Sequence, residues 1–290
     1  MQEQDWLAQQ FEEKRPRLRA VAYRMLGSLN EADDAIQEAW LRLDRSDARV
    51  IANLDGWLTT VIARVCLDVL RTRESRREEP LAWHFPDLIV SGEDGMDPAQ
   101  QALIADSVGI ALLVVLETLA PSERLAFVLH DMFAVPFEEI AKMVGRTEVA
   151  ARQLASRARR RVHGVAPFPD VDLKQQRKVV DAFFAAVRAG DFDRLIKVLD
   201  PEVVVRSDMG GAQREVQGSH AAAKGALVFS RLAERIQPVL VNGVAGIVSR
   251  RASGQVVAVM SFAVKGEAIK EIDVVRDPSY LQRLDLAAVN

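Results

Sequence analysis

The sequence is short of cysteine, of aromatic residues and of long apolar runs. Cys66 is its single cysteine, which excludes an intramolecular disulfide and a cysteine-built zinc cage. Aromatic residues make up only 6% of the chain. The longest apolar run, Val108 to Leu116, falls far short of the roughly 18 to 20 residues that a membrane span requires, so no transmembrane helix and no membrane partner are expected. The first residues are polar and acidic, without the apolar core of a secretory signal, and a cytoplasmic location is expected. No sign of charge dominates either. Thirty-eight Lys and Arg stand against 41 Asp and Glu, a net charge of −3, which speaks against a globally basic nucleic-acid binder but leaves room for local patches. What is present, 49% hydrophobic and 27% charged residues over 290 positions, suits a globular protein of two or three domains.

The near-neutral total hides opposed parts. Residues 78–106 hold seven acids (Glu78, Glu79, Asp87, Glu93, Asp94, Asp97, Asp106), no Lys or Arg, and several prolines and glycines, the composition of a linker. Residues 142–163 hold seven basic side chains against Glu148 alone. An acidic linker of this kind is expected to screen the basic helices from DNA. Two prolines in 164–172 end the basic helix and mark a second join. Upstream of the linker the apolar spacing is helical, as in Ile36, Ala39, Trp40 and Leu43. Beyond residue 172 helices over 173–189, 192–199 and 219–235 are mixed with strand-like runs at 203–206, 239–241, 246–250, 255–264 and 268–275, an α+β pattern.

Three segments carry recognisable chemistry. Residues 137–161 predict a helix, a turn at Gly145-Arg146-Thr147 and a second helix N-capped by Thr147. Ala151, Leu154, Ala155, Ala158 and Val162 form the inner stripe of that second helix, against Ile140 and Val144 of the first. Arg146 of the turn and the outer face of the second helix, with Arg152, Gln153, Ser156, Arg157 and Arg160, offer side chains able to reach base edges and phosphates. Residues 53–77 form an amphipathic helix with Trp57, Arg64 and Asp68 along an edge and Arg71, Arg73, Arg76 and Arg77 at its end. Such a face can hold separated DNA strands by phosphate contact and base capture, although a charge run at a helix end is by itself also a solvated surface. Finally, Asp33, Asp34, Gln37 and Glu38 share one exposed side of a helix whose Ile36, Trp40 and Leu43 fill a core stripe, which suits a protein-binding face better than a catalytic one.

In this order the three segments resemble the extracytoplasmic-function (ECF) sigma factors of the sigma-70 family. Asp33-Asp34-x-x-Gln37-Glu38-Ala39-Trp40 is similar to the region 2 helix that docks on the β′ coiled coil of RNA polymerase. Trp57-Leu58, Ile62-Ala63-Arg64 and Asp68-x-x-Arg71 are similar to the helix that melts and reads the minus-ten element. The helix-turn-helix, introduced by Leu119-Ala120-Pro121-Ser122-Glu123-Arg124, is similar to region 4, reader of the minus-thirty-five element. The resemblance implies bacterial core polymerase, through its β′ and β subunits, and promoter DNA as partners. It also implies a domain order: region 2 over 1–80, an acidic linker over 81–106, region 4 over 107–164 and a further domain over 172–290.

That last domain resembles the SnoaL-like cone of the nuclear-transport-factor fold, through Phe183-Phe184 to Gly190-Asp191-Phe192 and Leu199-Asp200-Pro201-Glu202-Val203. Sigma factors with such a tail form a SigJ-like group in which the tail regulates. The expected fold is therefore two all-α sigma domains followed by an α+β SnoaL-like domain. The group's linker and tail motifs match only partly, at Trp83-His84-Phe85-Pro86-Asp87, Asp208-Met209-Gly210-Gly211 and Asp277-Pro278, so Trp83, Asp208, Gly210, Asp277 and Pro278 are the expected regulatory contacts. A small molecule in the cone is a possible ligand. Isomerases of this fold use an Asp base beside a Tyr and a protonated Asp. Asp208 sits near the base's place, but Phe183 stands where the Tyr belongs and 256–260 offers no carboxyl, so no catalytic residue, metal or cofactor is expected. The competing reading is a helix-turn-helix regulator, or an enzyme, that works without polymerase.

Overall fold

The computed structural model describes residues 2–46, 51–75, 85–92, 109–165, 171–210, 213–230, 235–284, 286 and 289. They fall into two compact units. The first holds the described residues up to 75 and those from 115 to 165; the second holds 85–92, 109–114 and those from 171 onwards.

Three long helices open the first unit: α1 (Gln2–Leu26), α2 (Leu29–Asp44) and α3 (Leu54–Ser75). Leu7, Phe11, Leu18, Ala22 and Met25 recur at helical spacing on α1 and are buried, as are Ala32, Ala35, Ile36, Ala39 and Leu43 on α2. Gly27, at φ 72°, ends α1, and the Ser28 hydroxyl accepts the Glu31 amide proton to begin α2. The remaining helices are α4 (Ile110–Glu117), whose residues up to Val114 belong to the second unit, α5 (Pro121–Phe127), a π-helical turn at Val128–Met132, α6 (Phe137–Val144) and α7 (Glu148–Val165). Gly145, in the left-handed region at φ 66°, stops α6, and Thr147 Oγ1 accepts from the Ala150 amide at 3.3 Å at the start of α7, as the turn residues predict. Ala151, Ala155, Ala158 and Val162 are wholly buried, so α7 presents its alanine stripe inward. Among the described residues no helix is long and apolar enough to cross a membrane.

The second unit is an antiparallel-rich sheet covered on both faces. It contains β1 (Val90–Ser91), α8 (Leu173–Ala189), α9 (Phe192–Val198), β2 (Leu199–Asp208), β3 (Gln213–Gln217), α10 (Ser219–Phe229), β4 (Arg235–Val241), β5 (Val244–Arg250), β6 (Val256–Lys265), β7 (Ala268–Val275) and a short turn of helix, α11 (Pro278–Leu281). The strand order is β1-β4-β5-β6-β7-β2-β3, with β2 and β7 the parallel pair. One face packs on α8 to α10 through Val180, Phe183, Phe184, Leu195, Ala223, Phe262, Ile272 and Val274. The other carries Val239, Val241, Val248, Val259 and Val275 under Phe85, Leu88, Val90, Ile110, Val114 and Leu281.

The strands run further than the sequence predicts. Val203–Arg206 is the middle of a longer β2, β3 has no counterpart in the expected runs, and β4 begins at Arg235 instead of Val239, while the helix from Ser219 closes at Phe229. The segment expected to be an acidic linker is, over 85–92, part of the C-terminal sheet. Val90 and Ser91 pair with Val241 and Leu240, because Phe85, Leu88, Ile89 and Val90 bury more than Asp87 opposes. Of the seven acids expected to screen the basic helices, all but Asp87 lie outside the described residues.

Candidate functional site

The α1–α2 face forms a groove of about 710 Å³ lined by Phe11, Glu12, Arg15, Arg19, Asp33, Asp34, Gln37 and Trp40. The Arg19 guanidinium forks onto Asp33, with Nε to Oδ1 at 2.6 Å and NH2 to Oδ2 at 2.8 Å. Trp40 is half-buried and tilts against Phe11, ring centroids 5.1 Å apart, which ties α2 to α1 and walls the groove. Asp34 and Gln37 are exposed beside it. Glu38, the fifth residue expected here, does not line the groove and pairs with Arg42 at 2.7 Å, one helical turn on.

On α3, half-buried Trp57 and exposed Arg64, Asp68 and Arg71 fall at spacings of seven, four and three, so they follow one side of the helix. Arg73 leaves that row: it donates to the Leu26 carbonyl at 3.3 Å and pairs with Glu31, clamping α3 to the end of α1 and the start of α2. Arg76 and Arg77 lie outside the described residues. A shallower groove of about 430 Å³ runs between α2 and α3, floored by Val65 and Val69 and rimmed by Asp68 and Thr72.

The six residues expected to read DNA through α6–α7 are all exposed but differently held. The Arg152 guanidinium is drawn to Glu148 and lies over the Phe137 ring, 4.9 Å from its centroid. Arg157 donates to Glu123 Oε1 at 2.8 Å, while its neighbours Arg161 and Arg159 pair with Glu123 and Asp131. These contacts neutralise one edge of α7 and fix it on α5 and the π turn. Arg146, Gln153, Ser156 and Arg160 carry no ion pair among the described residues and are the side chains left for an outside ligand. The acids that hold the arginines are not legible from the helix-turn-helix pattern, although Glu123 belongs to the motif that introduces it.

A contact between the two sigma-like halves of the first unit was also not foreseen. Arg124 of α5 is 1% exposed, donates twice to the Arg24 carbonyl of α1 (3.2 and 3.1 Å) and pairs with Glu117 at 2.9 Å. Arg24 in turn lies over the Phe133 ring at 5.0 Å, and Arg17 donates to the Phe133 carbonyl at 3.4 Å. The Arg24 carbonyl, in the last turn of α1 where helix carbonyls lack partners inside their own helix, is thus answered by the other half.

In the second unit four of the expected tail residues come together. The Gly210 amide donates to Asp208 Oδ1 at 3.0 Å, and a Cβ on Gly210 would stand 3.2 Å from Asp277 Oδ1. Asp277 caps α11 by accepting from the Ser279 amide (2.9 Å) and hydroxyl (2.6 Å), which hold its carboxyl below the usual range, and Pro278 is the first residue of that turn. One residue on, Tyr280 Oη accepts from the Leu88 amide at 2.7 Å and donates to the Pro86 carbonyl at 3.5 Å. Burial pushes its phenol up, so it stays protonated and able to do both. Asn242, at φ 50° in a tight Asn-Gly hairpin, closes a second pair with Ile89: amide to Oδ1 and amide to carbonyl, both 2.8 Å. Trp83 lies outside the described residues.

Buried carboxyls do occur in the tail, one strand away from 256–260. Arg206 of β2 pairs with Glu271 at 2.9 Å and lies 3.8 Å from Asp273, both on β7 and almost wholly buried. Ile272 and Val274 belong to the helix-side core, so alternation puts Asp273 on the opposite face of the sheet, away from the Phe183, Phe184 and Phe262 rings. Burial, then the neighbouring Glu271, pushes the Asp273 carboxyl up to about 8, against the pull of Arg206. A carboxyl with a raised folded-state pKa binds a proton that the unfolded chain has released, so this group's contribution falls as pH rises from about 4 to 8. Thermal unfolding of the tail is expected to move to lower temperature across that window, and Asp273→Asn is expected to flatten the dependence; an equally steep profile in the variant would remove the assignment.

Comparison with known proteins shows the family and the fold. Residues 10–76 match sigma-70 region 2, and residues 110–162 match sigma-70 region 4. The ECF RNA polymerase sigma factor SigJ of Mycobacterium tuberculosis is 44% identical over 218 residues, 72% of this chain and 69% of that protein. A probable ECF RNA polymerase sigma factor, SigI, of the same species is 34% identical over 281 residues, 91% of each chain. The crystal structure of M. tuberculosis SigJ superposes with a TM-score of 0.77 at 34% identity, covering 95% of this chain and 98% of that one. The two helical domains and the SnoaL-like α+β domain after them are thus one known arrangement, and the chain belongs to the ECF RNA polymerase sigma factors, in their SigJ-like group.

Proposed function

We propose that this sigma factor rests in a closed state and that its tail restrains the opening needed to engage a promoter. The α1–α2 groove is the seat for the β′ coiled coil. The Trp57–Arg71 row of α3 handles the minus-ten element, and the outer face of α7 reads the minus-thirty-five element. This work is done where core polymerase is, in the cytoplasm. The two elements lie about 25 base pairs apart, roughly 85 Å along the duplex at about 3.4 Å per pair. Halves joined through Arg124 and the Arg24 carbonyl do not span that distance, so they must part.

The observation that carries the tail's role is the stitch of 86–91 onto β4, Asn242 and Tyr280. About 34 residues connect α3 to α4 and reach roughly 110–120 Å when extended; a stitch in the middle shortens what is free to extend. The packed Phe183, Phe184 and Phe262 rings, and an acid pair buried on the opposite face of the sheet from them, support a gate in preference to a catalyst.

Tyr280→Phe with Asn242→Gly is the test, because the first removes the acceptor for Leu88 and the second that for Ile89 while tolerating φ 50°. Each buried amide left without a partner costs about 1–3 kcal/mol. Hydrogen exchange at 88–91 is expected to speed up, and promoter-directed transcription with core polymerase to rise severalfold. Faster exchange with unchanged transcription would remove the gating role.

A further inference from the structure

On the exposed side of α7 one residue has no part in the polar chemistry. Val149, the second residue of the helix, is 65% exposed. It packs in no core, and its branched β-carbon makes it a poorer helix former than the alanines beside it. It shares its face with Arg152, Gln153 and Ser156, at spacings of three, four and seven. Arg152 is held between Glu148 and the Phe137 ring, which sets the outward edge of the first turn. In a helix-turn-helix the first turns of the second helix meet base edges in the major groove, where thymine shows a C5-methyl group that cytosine lacks.

We propose that Val149 is a specificity-determining residue that packs its methyl groups on the C5-methyl of one thymine in the minus-thirty-five element. This rests on the reading of α7 as the promoter-reading helix. The polar residues of the face supply hydrogen bonds and charge; Val149 supplies the apolar contact that separates thymine from cytosine at one position.

The probe is deoxyuridine, which deletes the methyl group and nothing else. With the full chain in complex with core polymerase, a preferred minus-thirty-five sequence is selected from a randomised element, and each thymine in it is replaced in turn. Burying one methyl group is worth roughly a fourfold change in binding. The unaltered protein is expected to lose about fourfold at one thymine. Val149→Ala is expected to lose about as much on the thymine promoter and nothing further from uracil at that position. Val149→Thr, which keeps one γ-methyl, retains sensitivity to the substitution. Equal binding of thymine and uracil promoters, additive losses in Val149→Ala, or a selected element without thymine overturns the assignment. A selection that yields no preferred element, with Gln153→Ala and Arg146→Ala also silent, means that α7 does not read the promoter, and the methyl contact falls with it.

Discussion

The double substitution Asp34→Lys and Gln37→Lys is expected to weaken association with core polymerase at least a hundredfold. Both side chains are exposed on the wall of the α1–α2 groove, and neither holds the bundle together. In the groove Arg15 pairs with Glu12 at 3.3 Å and Arg19 with Asp33 through two short hydrogen bonds, so Asp34 is the negative charge left beside those pairs. Two added lysines turn the wall positive. Like charges set against each other across an interface cost several kcal/mol, and about 3 kcal/mol is already more than a hundredfold. Lysine is a good helix former, so circular dichroism and melting temperature are expected to stay unchanged. Glu38→Lys is the internal comparison: Glu38 faces Arg42 and lies off the groove, so its loss is expected to be small. Titration of labelled protein against purified core polymerase decides; undiminished affinity in the double variant would mean that polymerase docks elsewhere.

That face was legible in the sequence because a helix repeats: Ile36, Ala39 and Leu43 identify the inner side, and Asp33, Asp34 and Gln37 must then lie outside. The helix-turn-helix was legible for a sharper reason, since Gly145 and Thr147 are the residue types that an αL stop and an N-cap require. Other features depend on partners distant in the chain. Arg73 belongs by local pattern to a basic helix end, yet Glu31 and the Leu26 carbonyl draw it inward. In β7 the alternation of Glu271 and Asp273 against Ile272 and Val274 does not distinguish a solvated polar face from a buried one; Arg206, 65 residues upstream of Glu271, makes the difference. The two-residue strand Val90–Ser91 has no periodicity of its own and shows only through Asn242 and Tyr280. The Asp208, Gly210 and Asp277 cluster was legible only because a family resemblance pointed to it.

Arg124→Met is expected to open the first unit. Methionine fills similar space without charge or donors, so the variant loses the two bonds to the Arg24 carbonyl and the ion pair with Glu117, which is 32% exposed and can turn to water. The Glu117 pair lies within the region 4 half; leaving the buried Arg24 carbonyl without its donors costs about 1–3 kcal/mol, and that cost falls on the contact between the region 2 and region 4 halves. At the top of that range, a loss of about 3 kcal/mol shifts an open-to-closed ratio about 150-fold, which takes a population that is about 1% open to about 60% open. Scattering should then report a larger radius of gyration, while far-ultraviolet circular dichroism stays unchanged because each half keeps its own core. Arg124→Lys keeps the charge but not the planar fork and should fall between the two. If opening limits promoter engagement, the variant forms promoter complexes faster than the unaltered protein at the same polymerase concentration. An enlarged radius with unchanged rates would separate the closed contact from control of initiation, and an unchanged radius would mean that Arg124 does not hold the halves together.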